Sequence, residues 1–519
     1  MLPRFLSKLE IFQDGKFLQI LLLSVSFMLL FTAFQTTSMT EQTVLASVRH
    51  EDPEFTGDGY VSLCIIYAVF ALGSWVAPSI VAIIGPKWGM LMSGSVYLVF
   101  IAQFIAPSTW LLYLTSALLG GAASVLWCCQ GNFLTLASDP KTISRNSGVF
   151  WGINQCSLFF GNLFVFFKFQ GKTVIDSETR VFVFIVLTIV SAIGVLSMFL
   201  LSNLRDETGK SGSTSGDVDE DGQINPSEIG LAGNGEKNEK QEALEVTQTV
   251  PSSTKPSPFQ LAKSALVQAL QLFITPNMIL LSIASIYTGW CQSFFFGVYP
   301  TAVGFTQRFG DDAKRLVGLV GIFTGVGEVV GGSVFGLLGS KTTKRGRSPV
   351  VFLGLITHIT CFVLVYLNLP EESTIRETPD GSVFESPVPW LAVVCAMFMG
   401  FGDSCYQTQL FAIFGSVYAD KSAAAFAIFK FTQSAASAIA FFSSSYMGML
   451  SQMLTLLISS ILGFLGIFIV ELQTKRKNKI SETENSSDSQ EESASETHPV
   501  TSSNDEEKES IRAKQQKVA

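Results

Sequence analysis

Phe17-Leu-Gln-Ile-Leu-Leu-Leu-Ser-Val-Ser-Phe-Met-Leu-Leu-Phe-Thr-Ala-Phe34 is an unbroken apolar run without a charge, and Gln35 follows it directly. At ~1.5 Å of rise per residue, about 20 such residues cross the ~30 Å hydrocarbon core of a bilayer as one helix. The run is longer than a signal-peptide core, and no small-x-small cleavage site stands behind it, so it is expected to remain as a first span. Eleven further runs of similar length follow. The twelve expected spans are 17–37, 60–84, 88–106, 108–130, 147–169, 181–202, 276–300, 314–339, 349–369, 388–412, 420–443 and 448–472. The chain therefore reads as an all-α membrane protein of twelve transmembrane helices. A polar stretch divides them into a six-helix bundle over 1–202 and a second over 264–472.

Composition agrees with lipid as the solvent. Of 519 residues, 48% are hydrophobic and only 15% are charged, too apolar a balance for a soluble chain of this length. The net charge of -8 sits outside the spans. Residues 203–263 hold 11 acids against 6 bases, and the tail from 473 to 519 holds 10 against 8. Both stretches are polar and poor in aromatic residues, so neither can bury enough surface to offset its ordering entropy, and both are expected to be disordered. No basic patch points to nucleic acid. The eight cysteines fall inside apolar runs without metal-site or disulfide spacing and are expected to be small packing residues.

The basic residues of the short loops set the expected orientation. Arg4, Lys8, Lys16, Lys87, Lys141, Arg145, Lys341, Lys344, Arg345, Arg347, Lys421 and the cluster from Lys475 to Lys479 collect on the linker side. Both termini and the linker are accordingly expected to be cytoplasmic, with plasma and endolysosomal membranes both open. Within the linker, Asp217, Asp219, Asp221 and Glu228 fit positions 1, 3, 5 and 12 of a calcium loop, with Gly222 at position 6. No flanking helices of such a hand are evident, so a solvated acidic linker is the competing reading.

Three ionisable residues lie deep in the second half: Glu328, Asp403 and Lys430. A charge at bilayer centre costs about 2.5 to 3.5 kcal/mol on insertion scales, so such residues face protein or water and usually pair. Lys430 is expected to neutralise Asp403, leaving Glu328 to titrate. The competing reading is a buried ion pair that fixes packing and nothing else. The deep polar groups of the first half are neutral, among them Gln35, Gln103, Gln130, Asn154, Gln155 and Asn162. His358 is expected to be satisfied locally, and glycines 325, 327, 331, 332 and 336 to permit close helix approach. No nucleophile–base pair, phosphate-binding loop or metal cluster stands within the spans, so neither an enzyme nor a cofactor is expected.

The halves echo one another. Phe31-Thr-Ala-Phe-Gln35 matches Tyr287-Thr-Gly-Trp-Cys-Gln292, and Asn154-Gln155 can be laid on Thr432-Gln433, as in a carrier built from repeats. With Gln130-Gly-Asn-Phe-Leu-Thr135, Arg145-Asn-Ser-Gly-Val-Phe-Trp151, the glycine-rich run 321–332, Gly402-Asp-Ser-Cys405 and Ala425-Phe-Ala-Ile-Phe-Lys-Phe431, the chain resembles the major facilitator superfamily and, within it, the Unc-ninety-three-like branch. That resemblance implies the major facilitator fold and a cavity lined by spans 1, 4, 7 and 10. It singles out Gln35, Gln130, Asn132, Gln292, Gln407 and Gln409 as lining residues. It implies secondary transport of a small solute by alternating access, with membrane lipid as the surroundings. It also implies an alternative, a non-transporting accessory protein acting on a channel or receptor in the membrane. The superfamily's loop motif is reduced here to Gly85-Pro-Lys87-Trp-Gly89, and its second copy carries Ser340 where Asp is usual.

Overall fold

The computed structural model describes residues 15–139, 142–203, 267–337, 346–418 and 421–496. The acidic linker and the Asp217 to Glu228 loop lie outside the described residues, as do Lys141, Lys341, Lys344 and Arg345 of the basic face. Nearly all of the rest is helical. The first half comprises α1 (Gly15–Glu51), α2 (Gly59–Gly73), α3 (Ala77–Ile84), α4 (Pro86–Ala102), α5 (Thr109–Leu136), α6 (Ile143–Lys168) and α7 (Ser177–Ser197). The second comprises α8 (Pro276–Ser293), α9 (Tyr299–Phe305), α10 (Ala313–Leu337), α11 (Ser348–Asn368), α12 (Pro389–Val417), α13 (Ser422–Ser444) and α14 (Met449–Glu496). A five-residue π-helix, Phe294–Val298, joins α8 to α9.

Among the described residues, ten helices are long and apolar enough to cross a membrane, and the bent pair α2 and α3 makes eleven. The pair bends by 71° at its break, where Pro78 enters without an N–H to continue the ladder. The twelfth expected span is α12. It has 29 residues, length enough to cross, but Asp403, Gln407 and Gln409 in its middle lower its hydropathy. Polar side chains at the centre of a span are where function is expected to outweigh lipid solubility.

Two boundaries differ from the sequence reading by more than ten residues. α1 continues fourteen residues past the expected end at 37, to Glu51. The polar run Gln35-Thr36-Thr37-Ser38 does not stop the helix because the threonines satisfy themselves against it. Thr37 donates to the carbonyl of Ala33 at 2.8 Å and Thr40 to that of Thr36 at 2.8 Å, and no Gly or Pro intervenes before Pro53. α14 likewise runs past residue 472 to Glu496, into the stretch expected as a disordered tail. Glu, Lys and Gln there are good helix formers, and Lys475 pairs with Glu471 one turn back at 2.8 Å. Glu471 also accepts the backbone N–H groups of Arg347 at 2.8 Å and Ser348 at 2.6 Å, so α14 caps the start of α11.

The helices alternate in direction, so one face of the bundle carries both linker attachments and the other carries Asp58, Asp176 and Glu371; these are the linker face and the far face. α1 packs on α6 and α7, α8 on α13 and α14, and α10 on α12. The halves meet along two seams, α6 with α10 and α2 with α13. The centre of the first half is aromatic: Phe31 lies 5.0 Å from Trp127 and Phe34 5.0 Å from Tyr97, centroid to centroid. On the far face Asp176 caps α7, accepting from the Thr179 hydroxyl at 2.8 Å. The Lys172 ammonium 2.6 Å away holds this carboxyl down at about 2, with the Thr179 bonds adding to the effect. Its contribution is therefore present above the ordinary carboxylate range and is lost only as pH falls through about 2. Asp176→Ala should cost about 1 kcal/mol, the usual worth of an N-cap, seen as a lowered unfolding temperature in detergent at neutral pH.

Candidate functional site

α10 presents two glycine faces. One, at spacings of three and four, is Gly318, Gly321, Gly325 and then Glu328, and it faces α6 of the other half. A Cβ at Gly318 would meet the Asn162 carbonyl at 2.6 Å, and one at Gly325 would meet the Leu158 side chain at 2.8 Å. One turn further, Gln155 donates to the carboxylate of Glu328. An antiparallel register thus runs Asn162, Leu158, Gln155 against Gly321, Gly325, Glu328. The other face carries Gly327 and Gly331 toward α12. A Cβ at Gly327 would strike the backbone N of Phe401 at 2.8 Å, and one at Gly331 the Ser404 side chain at 2.6 Å. Ser404 in turn donates to the carbonyl of Glu328 at 2.8 Å.

That close packing brings the two acids together. Glu328 is 6% exposed and Asp403 4%, and their charges act on one another. Asp403 stands fourteen residues from each end of α12, at the middle of the crossing. Gln292 of α8 donates to its Oδ2 at 3.5 Å. Gln407, one turn along, approaches the same carboxylate, yet its Nε2 and Asp403 Oδ1 are both buried without a completed hydrogen bond.

The expected contact pair between Lys430 and Asp403 is not formed. The Lys430 ammonium donates to Gln433 at 3.1 Å and lies 5.1 Å from the centre of the Phe429 ring and 5.8 Å from that of Phe411. Lys430 and Gln433 are one turn apart on α13, and rings on both sides offer the ammonium a negative face. It acts on Asp403 through space and makes no ion pair within 4.0 Å with either acid among the described residues. Glutamines, and not the lysine, hold the acids.

The repeat matches noted in the sequence converge on this centre. Gln155 holds Glu328 and its counterpart Gln433 holds Lys430, while also donating to the Thr288 hydroxyl at 3.2 Å. Gln292 holds Asp403, and its counterpart Gln35 accepts from the Ser157 hydroxyl of α6 at 2.5 Å. Of the other expected lining residues, Gln130 is buried at 6%. Asn132 is exposed near the linker-face end of α5. Gln409 donates to its neighbour Thr408 at 3.2 Å. His358 is satisfied locally. Its Nε2 lies 2.9 Å from the Met399 carbonyl and must donate there, so Nδ1 accepts from the Tyr287 hydroxyl.

Two features escape the sequence reading. Lys314 and Glu377 form a salt bridge on the far face, with Lys314 2% exposed. Glu41 of α1 is 0% exposed, because the first span extends beyond residue 37. The resumed apolar period at Met39, Val44, Leu45 and Val48 was the available signal for a longer helix.

The loop motif after α3 has an intramolecular role. Gly85 sits at φ +78°, a backbone region that favours glycine, and Pro86 opens α4. Lys87 donates to the carbonyl of Phe199 at 2.9 Å, within its own half.

The profile of a family described as "Ion channel regulatory protein UNC-93" matches residues 55–468. The UNC93-like protein MFSD11 of Xenopus tropicalis is 42% identical over 469 residues, which cover 90% of this chain and 98% of that protein. The UNC93-like protein 3 of Arabidopsis thaliana is 24% identical, covering 84% of this chain and 82% of that protein. Among solved structures, the nucleoside transporter NupG superposes with a TM-score of 0.54 at 13% identity, covering 88% of this chain and 99% of that one. The peptide transporter POT in complex with sulfate gives 0.58 at 11%, covering 88% and 94%. At these identities the likeness is one of fold, and the fold is that of the major facilitator superfamily.

Proposed function

We propose, from the premise that this chain belongs to the UNC-93 family, that it is a secondary transporter of a small organic solute, working by alternating access and driven by protons. The observation that carries this reading is the seam between α6 and α10. Its glycines leave little side-chain interdigitation to separate, and one polar contact, Gln155 to Glu328, joins the halves at depth. Such a joint can part and re-form at lower cost than an interlocked core. Glu328 and Asp403 lie behind it and supply the proton site, because two neighbouring buried carboxylates without a paired cation disfavour double ionisation. The rings of Trp127 and Trp151, stacked at 5.5 Å with Trp151 40% exposed, supply an apolar wall on the opposite half.

The rival reading is an accessory subunit that regulates another membrane protein. It is favoured by the family's description and by the loop motif, where Lys87 is tied within its own half and no Asp is present to latch one half to the other. Proton-driven uptake into liposomes separates the two readings.

The basic residues of the loops support a cytoplasmic linker face. A protease-sensitive tag inserted at Gly233 should survive protease added to intact cells and be cut once the cells are permeabilised. Cleavage in intact cells would reverse the orientation.

A further inference from the structure

The far face is closed by α1, α2 and the segment from Phe294 to Phe305. Through residues 36–48, α1 is buried on nearly every side, including Thr36, Thr40, Gln42, Thr43 and Leu45. Contacts between the halves hold this face shut. A Cβ at Gly304 would meet the Thr43 hydroxyl at 3.3 Å, and the Tyr60 hydroxyl donates to the Thr374 carbonyl at 2.9 Å. The π-helix of Phe294–Val298 lies in the same wall, and a single π turn inside a helix is frequently found at functional sites.

Glu41 sits in the middle of this closure. It is 0% exposed, and neither carboxyl oxygen completes a hydrogen bond. The Ser62 hydroxyl approaches it but is engaged with Ser116 at 2.9 Å. Among the described residues, the charged and titratable groups around it leave no cation to spare. On its own helix, Arg49 faces Asp58 at 3.6 Å and Glu51 faces Arg180 at 3.1 Å. From α10, Lys314 is taken by Glu377 and by the Gly304 carbonyl at 3.0 Å. From α2 and α5 come Asp58, Tyr60 and Tyr113, of which Asp58 and Tyr113 share an electrostatic interaction with Glu41; from α9 comes Tyr299, whose hydroxyl is spent on the Ala392 carbonyl at 2.7 Å. Each neighbouring base thus has another acid, and Glu41 is the acid left over. A carboxylate sealed from water without donor or cation is far more costly than a neutral carboxylic acid in the same place.

We propose that Glu41 is a proton-binding site belonging to the far-side gate: it takes up a proton when this face closes and releases it when the face opens to water. The site is separate from Glu328 and Asp403 and works whether or not a solute is carried. Closure is then linked to pH. With one proton taken up on closing, the ratio of closed to open molecules changes by about tenfold per pH unit where only the open form releases it.

The test reads conformation directly. Nitroxide labels on Glu54→Cys and Ser386→Cys, both exposed on the far face of opposite halves, are placed in full-length protein lacking its native cysteines. Their separation is followed in lipid nanodiscs by double electron–electron resonance from pH 5 to 9. The short distance should dominate at acid pH and give way to a longer one as pH rises. Glu41→Gln, which mimics the protonated acid, should stay closed throughout. A separation independent of pH in the otherwise unchanged chain overturns the proposal without recourse to any variant at Glu41. So does an unaltered response in Glu41→Gln, or a response to exchange of potassium for sodium at fixed pH, which would assign the acid to a metal cation. Because the readout is a distance, a chain that moves no solute still returns an answer, and failure here is distinguishable from failure of the transport reading.

Discussion

Gly327→Val should remove most of the folded protein. At this crossing the backbones of α10 and α12 touch, since a Cβ at Gly327 would lie 2.8 Å from the Phe401 nitrogen and one at Gly400 would lie 3.1 Å from the Glu328 nitrogen. The obstruction is backbone on both sides, and a backbone cannot rotate out of the way as a side chain can. Overpacking costs about 1 to 3 kcal/mol, and more on occasion, a large share of the roughly 5 to 15 kcal/mol that holds a domain together. The expected result is a monodisperse fraction after detergent extraction reduced several-fold below that of the parent, with Gly332→Val unaffected because a Cβ there meets open space. Equal yields from the two variants would show that the close crossing is not needed.

Glu328→Gln should leave a folded protein that has lost its response to a proton gradient. A glutamine carbonyl accepts the Gln155 bond as the carboxylate does, so the seam between the halves survives, while the proposed proton site is gone. Proton-driven uptake should fall to background, with counterflow exchange of unlabelled for labelled solute retained. Glu328→Ala is the harsher change. It strands the Gln155 amide in a buried seam, and leaving such a group without a partner costs about 1 to 3 kcal/mol. Lys430→Ala should be milder than a broken buried ion pair, because the ammonium is half-buried and bonded to Gln433, not to an acid.

The spans were legible because lipid imposes one rule on every crossing, and eleven of the twelve expected runs answer to it. α12 shows the limit of that rule: its length is right, but Asp403, Gln407 and Gln409 in its middle lower its hydropathy. The end of α1 was missed for a related reason. Four successive polar residues look like a boundary in sequence, yet threonine hydroxyls bonding back to the preceding turn make them compatible with helix. That miss concealed Glu41. The acids at 328 and 403 were legible because an isolated charge in an apolar run has few bland explanations. Their partners were not, since pairing depends on which helix faces which. Attraction of opposite charge suggested Lys430 for Asp403, whereas helix geometry gave the lysine a glutamine one turn away on its own helix. The repeat pattern of glutamines carried the better signal, with Gln155 and Gln433 at one pair of equivalent positions and Gln35 and Gln292 at the other.

The most direct test of the transport reading is uptake by purified protein in sealed liposomes, with an imposed pH gradient and a panel of labelled amino acids, short peptides, nucleosides and organic anions and cations. Accumulation of a panel member that collapses with a protonophore and is absent in Glu328→Gln is the predicted result. Folded protein that accumulates no member of the panel under either direction of the gradient would contradict it and leave the accessory role in its place.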